Sequence, residues 1–227
     1  MYDPLQKIRS ILDNELFHGF AAGIGQSIIG HPMDTYKTWV QVNHNERLSI
    51  RGLYRGYAYP AFTNGIISGV GFHVYETAKK SYGEYGSFIG GVMAGCTTAG
   101  LSGYFEYKKI TEQLNMKIKF PLSGALTLLM REIPACIFYF PVYDGLRERN
   151  ISIMTSGGVA GVTCWISSYW ADVLNTHAMS GKSLTQTIKT LKIRDYFKGM
   201  HIVLPRAFIA NAMGYFFYEQ SKWLLKN

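Results

Sequence analysis

Two short ionic motifs, each occurring three times and alternating along the chain, restrict the fold more than any other feature. The first is Asp34-Thr35-Tyr36-Lys37, Glu106-Tyr107-Lys108-Lys109 and Asp172-Val173-Leu174-Asn175. An acid is followed three residues later by a base in two copies and by an amide in the third. The second is Tyr75-Glu76-Thr77-Ala78-Lys79, Tyr143-Asp144-Gly145-Leu146-Arg147 and Tyr218-Glu219-Gln220-Ser221-Lys222, in which all three copies keep acid and base. The acids of the first set stand 72 and 66 residues apart, and those of the second 68 and 75. Self-similarity at a fixed period is the mark of one supersecondary unit used repeatedly. The chain therefore reads as a single domain over 1–227, made of three related units at approximately 1–84, 85–150 and 151–227.

Each motif closes a long, partly apolar segment. Six such segments run roughly over 16–42, 59–79, 88–114, 122–147, 157–179 and 202–224. A bilayer-spanning helix needs about 20 residues, and all six suffice. Charged residues make up only 17% of the chain, below the roughly 25% of ordinary soluble domains. Yet the mean hydropathy is +0.01, low for helices facing only lipid. Polar and ionisable residues within spans face a bundle interior or a watery cavity. The expected fold is thus an all-α membrane protein, with six transmembrane helices in three pseudo-threefold repeats around a central cavity. Small residues at four-residue spacing (Gly19/Gly23, Gly65/Gly69, Gly91/Gly95 and Gly157/Gly161) predict close helix packing in lipid.

The formal net charge of +8 raises nucleic-acid binding, but the basic residues are dispersed between apolar runs without a recognition motif. A basic chamber for anionic solutes and contact with anionic lipid, cardiolipin included, fit better. Cys96, Cys136 and Cys164 show no metal-ligand spacing and read as small packing residues. His31 and His73 are isolated and read as packing or helix-end residues. Residues 1–10 carry Asp3, Lys7 and Arg9, which is not the pattern of a secretory signal. No nucleophile–base, metal-histidine or paired-carboxylate arrangement stands out at a repeat-consistent place, so neither an enzyme nor a cofactor is expected.

These motifs resemble the mitochondrial carrier family. Its odd helices end in Pro-x-acid-x-x-base, as Pro32-Met33-Asp34-Thr35-Tyr36-Lys37 does here, and its even helices end in aromatic-acid-x-x-base. Gly52-Leu53-Tyr54-Arg55-Gly56 and Tyr196-Phe197-Lys198-Gly199 resemble the family's element before an even helix, and Arg131-Glu132-Ile133-Pro134 and Arg206 with Ala210-Asn211-Ala212 resemble its even-helix motifs. The likeness covers nearly the whole chain, as a short, divergent member. Tyr104 and Trp170 replace two of the family's prolines, leaving Gly103 as a place for a bend. The link from Gln113 to Leu122 is too short for a matrix helix of the family's kind.

The resemblance implies two ionic gates. A matrix gate would comprise Asp34, Lys37, Glu106, Lys109, Asp172 and Asn175, with Lys37 expected on Glu106, Lys109 on Asp172, and Asp34 on the Asn175 amide. A cytoplasmic gate would comprise Glu76, Lys79, Asp144, Arg147, Glu219 and Lys222. Rings that form in turn around a midplane site give alternating access. Substrate contacts fall on even helices, thirteen residues before each second-motif acid: Thr63, Arg131 and Arg206, with Asn64 and Glu132 beside them. Two arginines suit a carboxylate or phosphate, and Glu132 suits an amine. Trp165, Tyr139 and Tyr215 could stack a base, though filling the bundle is their commoner role.

The expectation is a monomeric antiporter of the mitochondrial inner membrane, multi-pass, exchanging small charged metabolites. An adenine-bearing substrate, a nucleotide or S-adenosylmethionine, is the first choice. A basic amino acid carrier and a non-transporting carrier-like scaffold are the alternatives.

Overall fold

The computed structural model describes residues 24–25, 27–43, 49–117, 119 and 121–210. Among them the chain is all helix, with no strand. Helix α1 is described over residues 27–42. It is followed by the four-residue α2 (Ile50–Leu53) and the long α3 (Ala58–Ser81), α4 (Gly86–Gln113), α5 (Leu122–Glu148) and α6 (Ile153–Met179). The short α7 (Leu184–Thr190) and a 3-10 turn at Ile193–Phe197 lead to α8, described over residues 200–210. Consecutive long helices pack side by side, α3 on α4, α4 on α5 and α5 on α6.

The local chemistry explains the boundaries. Ser49 caps α2 by accepting a hydrogen bond from the Gly52 amide at 3.1 Å, and Ser152 caps α6 by accepting from the Thr155 amide. These are the side chains that satisfy the open amides of a first turn. Gly56 has φ +73°, and a Cβ on it would lie 2.9 Å from the Lys109 carbonyl oxygen. Both the left-handed backbone and the close approach require glycine there. Gly199, at φ +88°, makes the corresponding turn before α8. No helix forms between Gln113 and Leu122 among the described residues, as the short link requires. Helix α4 runs through Gly103 and Tyr104, and α6 through Trp170, without interruption.

At about 1.5 Å rise per residue, helices of 24 to 28 residues are long enough for a hydrocarbon core of about 30 Å. By composition as well as length, one helix among the described residues passes as a membrane span: α5, with mean hydropathy 1.4 in its most apolar window. Only 28% of that window is buried inside the protein, unlike the core helix of a soluble domain. Exposed Phe62, Ile66, Phe88, Leu122, Leu126 and Phe208 give the bundle an apolar exterior, the kind of large patch that marks a membrane or partner surface. The other long helices are diluted by glycine, hydroxyl and charged residues, and segments 16–42 and 202–224 lie partly outside the described residues.

The glycine pairs divide. A Cβ on Gly91 would meet Ile137 Cα at 2.8 Å, and one on Gly95 would meet Ile133 Cα at 2.7 Å, so α4 and α5 touch backbone to backbone. Gly65, Gly69 and Gly157 have no described atom within 4 Å, so close packing at them is not seen among the described residues. Gly19 and Gly23 lie outside the described residues.

Buried clusters seal the bundle at different heights. Trp39, Tyr107, Ile110, Leu114 and Met179 join α1, α4 and α6. Tyr75, Ala94 and Phe140 join α3, α4 and α5, with the Tyr75 and Phe140 rings stacked at 4.1 Å. Helices α6 and α8 meet at Tyr169, Val173 and Val203. Among the three cysteines Cys96 is exposed, and Cys136 and Cys164 are half-buried.

Candidate functional site

Between the helices lies a cavity of about 260 Å³. Its charged lining is four acids, Asp34, Glu106, Glu132 and Asp172, and four cations, Lys37, Lys109, Arg131 and Arg206. Helices α1, α4, α5, α6 and α8 each contribute at least one. In a bundle largely surrounded by apolar surface, such charges are stable only when paired, and the geometry is one of near-complete pairing.

Lys37 Nζ lies 2.6 Å from Asp172 Oδ2, and Lys109 Nζ lies 3.8 Å from Asp34 Oδ2. The pairing therefore runs round the ring in the opposite sense to the one expected from sequence. Lys37 does not take Glu106, and Lys109 does not take Asp172. Helix α1 reaches α6 and α4 reaches α1, so the third junction is the one from α6 to α4, between Asn175 and Glu106. There the absent charge matters. Asn175 accepts from Thr127 Oγ1 at 3.2 Å instead of bonding Asp34 as expected, and its Nδ2, fully buried, has no hydrogen-bond partner among the described residues. Glu106 pairs with Arg131 at 3.0 Å.

Arg131 is the busiest side chain of the cavity. Its guanidinium also contacts Glu132 Oε1 at 2.7 Å and Asp172 Oδ1 at 3.4 Å. Arg206 Nη2 donates to Asp34 Oδ2 at 2.8 Å, and its Nε has no hydrogen-bond partner among the described residues. Both arginines expected to hold substrate are thus held by the acids expected to form a gate. Asn64 and Glu132 line the same cavity. Thr63 does not; its hydroxyl donates to the Tyr59 carbonyl one turn earlier. Trp165 is present, but Lys37 Nζ lies 5.2 Å and the Arg206 guanidinium 5.8 Å from its ring.

Sequence reasoning overlooked a second layer of polar braces. Gln41 Nε2 donates to Asp172 Oδ2 at 2.8 Å, and Thr176 Oγ1 donates to Gln41 Oε1 at 2.6 Å. Gln113 accepts from Thr38 and donates to Thr35, while its carbonyl accepts from Trp39 Nε1 at 2.7 Å. The signal was legible: each glutamine stands four residues after the base of its motif, Lys37 or Lys109. The same place in the third unit is Met179. The third unit therefore lacks both the base and the brace.

The other motif set is partly described. Lys79 pairs with Asp144, which also accepts from the Tyr75 hydroxyl at 2.7 Å. Arg147 donates to the Ile151 carbonyl, and Glu76 is exposed. Glu219 and Lys222 lie outside the described residues, as does Tyr215. Tyr139 stacks on Tyr143. His31 is buried, its Nε2 bonded to the Arg55 carbonyl, whereas His73 is exposed. Among the described residues no group of three metal-ligating side chains occurs.

No protein-family model matches the chain. Individual proteins do match it along its length. It is 26% identical to a mitochondrial arginine transporter of Arabidopsis thaliana, covering 90% of this chain and 89% of that protein. It is 26% identical to the mitochondrial carnitine/acylcarnitine carrier protein of Homo sapiens, covering 92% and 93%. It is 24% identical to a mitochondrial basic amino acids transporter of Rattus norvegicus, covering 86% and 84%.

Proposed function

We propose, on the premise that the chain belongs with the mitochondrial carriers it matches over 86% to 92% of its length, that it moves a small solute bearing both a carboxylate and a cationic amine, a basic amino acid being the best fit. Carriers of this kind are transporters and not enzymes. The observation that supports this reading is the cavity's mixed lining, in which Arg131 and Arg206 offer planar forks for a carboxylate and Glu132 stands beside Arg131 as a partner for an amine. The named substrates of the relatives, arginine, basic amino acids and carnitine, point the same way.

Size and stacking favour an amino acid over an adenine-bearing solute. A volume of about 260 Å³ falls just below the roughly 300–1,000 Å³ usual for drug-sized ligands. The Trp165 face that would receive a base already carries two cations. Further, the ring of Asp34, Glu106 and Asp172 with its cations acts as a gate on the matrix side, and Lys79–Asp144 belongs to a gate on the cytoplasmic side. Alternation between them in the inner mitochondrial membrane, within three repeats, gives exchange. A scaffold without transport has little use for a cavity lined by eight balanced charges.

The test is counter-exchange by the purified protein in liposomes loaded with arginine or lysine. Labelled basic amino acid should enter loaded vesicles and not empty ones, and Arg206→Ala should abolish entry while the protein still folds. Exchange of nucleotides but of no amine-bearing carboxylate would overturn the substrate assignment. Absence of any solute flux across a broad panel would favour the scaffold.

A further inference from the structure

We propose that Arg131 is the third cation of the ion-pair ring, standing in for the base absent at Asn175, so that a substrate carboxylate which takes Arg131 also unlocks the ring. The argument begins with the cyclic order. Two of the three junctions are made by the lysine of one unit on the acid of another, Lys37 on Asp172 and Lys109 on Asp34. The order assigns Glu106 to residue 175, where an amide stands. Asn175 does not serve: its oxygen is taken by Thr127 and its Nδ2 has no hydrogen-bond partner among the described residues.

Arg131 fills the vacancy from α5. It reaches Glu106 at 3.0 Å and Asp172 at 3.4 Å, and so bridges the acids of two units. Charge balance makes the substitution exact in number, since the four lining acids meet four cations only when Arg131 is counted. A lysine at 175 would have held Glu106 and left Arg131 to the ligand alone. With Arg131 in that role, one guanidinium serves both lock and ligand. A carboxylate entering beside Glu132 competes with Glu106 and Asp172 for the same donors. Once it wins, both acids lose a cation and their mutual repulsion favours parting of α4 and α6. This coupling rests on the substrate site proposed above; the ring role of Arg131 does not.

The experiment compares thermal stability, in detergent without substrate, and exchange in liposomes for a set of full-length variants. Arg131→Ala should lower Tm by several degrees. Adding Glu106→Gln, which removes the stranded charge, or Asn175→Lys, which supplies a cation from the third unit, should recover most of that loss. Glu106→Gln alone should lower Tm, so the two substitutions are non-additive in the manner of groups in direct contact. Should neither second substitution rescue Arg131→Ala, or should the Glu106→Gln loss be the same in both backgrounds, the ring role is refuted. Exchange should stay absent in Arg131→Ala/Asn175→Lys although its Tm is restored. Recovered exchange in that variant would retain the ring role and remove Arg131 from the substrate site, so the two ideas fail separately.

Discussion

The two ends of the bundle differ in how far their ion pairs are withdrawn from solvent, and Asp172→Asn measures the consequence. The Asp172 carboxylate is 1% exposed and holds Lys37 at 2.6 Å, Gln41 at 2.8 Å and Arg131 at 3.4 Å. An amide in its place keeps one acceptor but turns an N–H₂ toward a donor, and it strands the charge of Lys37, while Arg131 keeps Glu106 and Glu132. Breaking a buried pair from one side costs about 3–5 kcal/mol. For a chain of this size about 1 kcal/mol moves Tm by about 2–4 °C, so the lower bound is a fall of roughly 6–12 °C. Asp144→Asn is the control. Its pair with Lys79 is between 20% and 34% exposed, exposed pairs contribute about 0–1 kcal/mol, and the Tyr75 hydroxyl can still donate to the amide oxygen. A fall of at most about 2–4 °C is expected there. The assay is intrinsic-fluorescence melting of both variants in the same nonionic detergent without added solute. Equal losses at the two ends would refute the claim that burial, and not the presence of a pair, sets the strength of each ion pair.

Three further outcomes are expected. Gly95→Val should destabilise the protein by about 1–3 kcal/mol or more, because its Cβ would fall 2.7 Å from Ile133 Cα and 2.9 Å from the Glu132 carbonyl; Gly65→Ala, in open space, should melt no lower than the parent. Gln113→Leu should cost about 1–3 kcal/mol by melting, since the Thr35 and Thr38 hydroxyls lose a buried partner. Asn175→Lys should slow exchange, because a ring holding Glu106 from the third unit stays shut after substrate takes Arg131. A tenfold slowing corresponds to about 1.4 kcal/mol, and rates at or above the parent's in liposomes would count against the gate.

Much of the site was legible because charge in an apolar chain is costly and therefore sparse. Once the motif period had been read, Asp34, Lys37, Glu106, Lys109, Asp172, Asn64, Arg131, Glu132 and Arg206 could be picked out, and all of them line one cavity. What the spacing could not carry was direction. A threefold order of acids and bases is satisfied by pairing either way round, and only the path of each side chain decides that Lys37 reaches Asp172. Thr63 shows the same limit, since a hydroxyl in a helix can bond the preceding turn as well as a solute, and here it does. Gln41 and Gln113 went unread because a neutral amide does not stand out as a charge does. The four-residue glycine spacing does not by itself name a neighbour: Gly91 and Gly95 are pressed on α5, while Gly65 and Gly69 meet no described atom.

The unequal third unit bears on how such a barrel would come apart. Two seams are fastened by a lysine with a glutamine behind it. The seam toward Glu106 has neither, Asn175 and Met179 standing in those places, and is stitched only from α5. An assembly with three equal fastenings would dilate like an iris. If the ring opens as proposed above, it would swing from its weak side first, as a door does, with the α1 seams serving as the hinge.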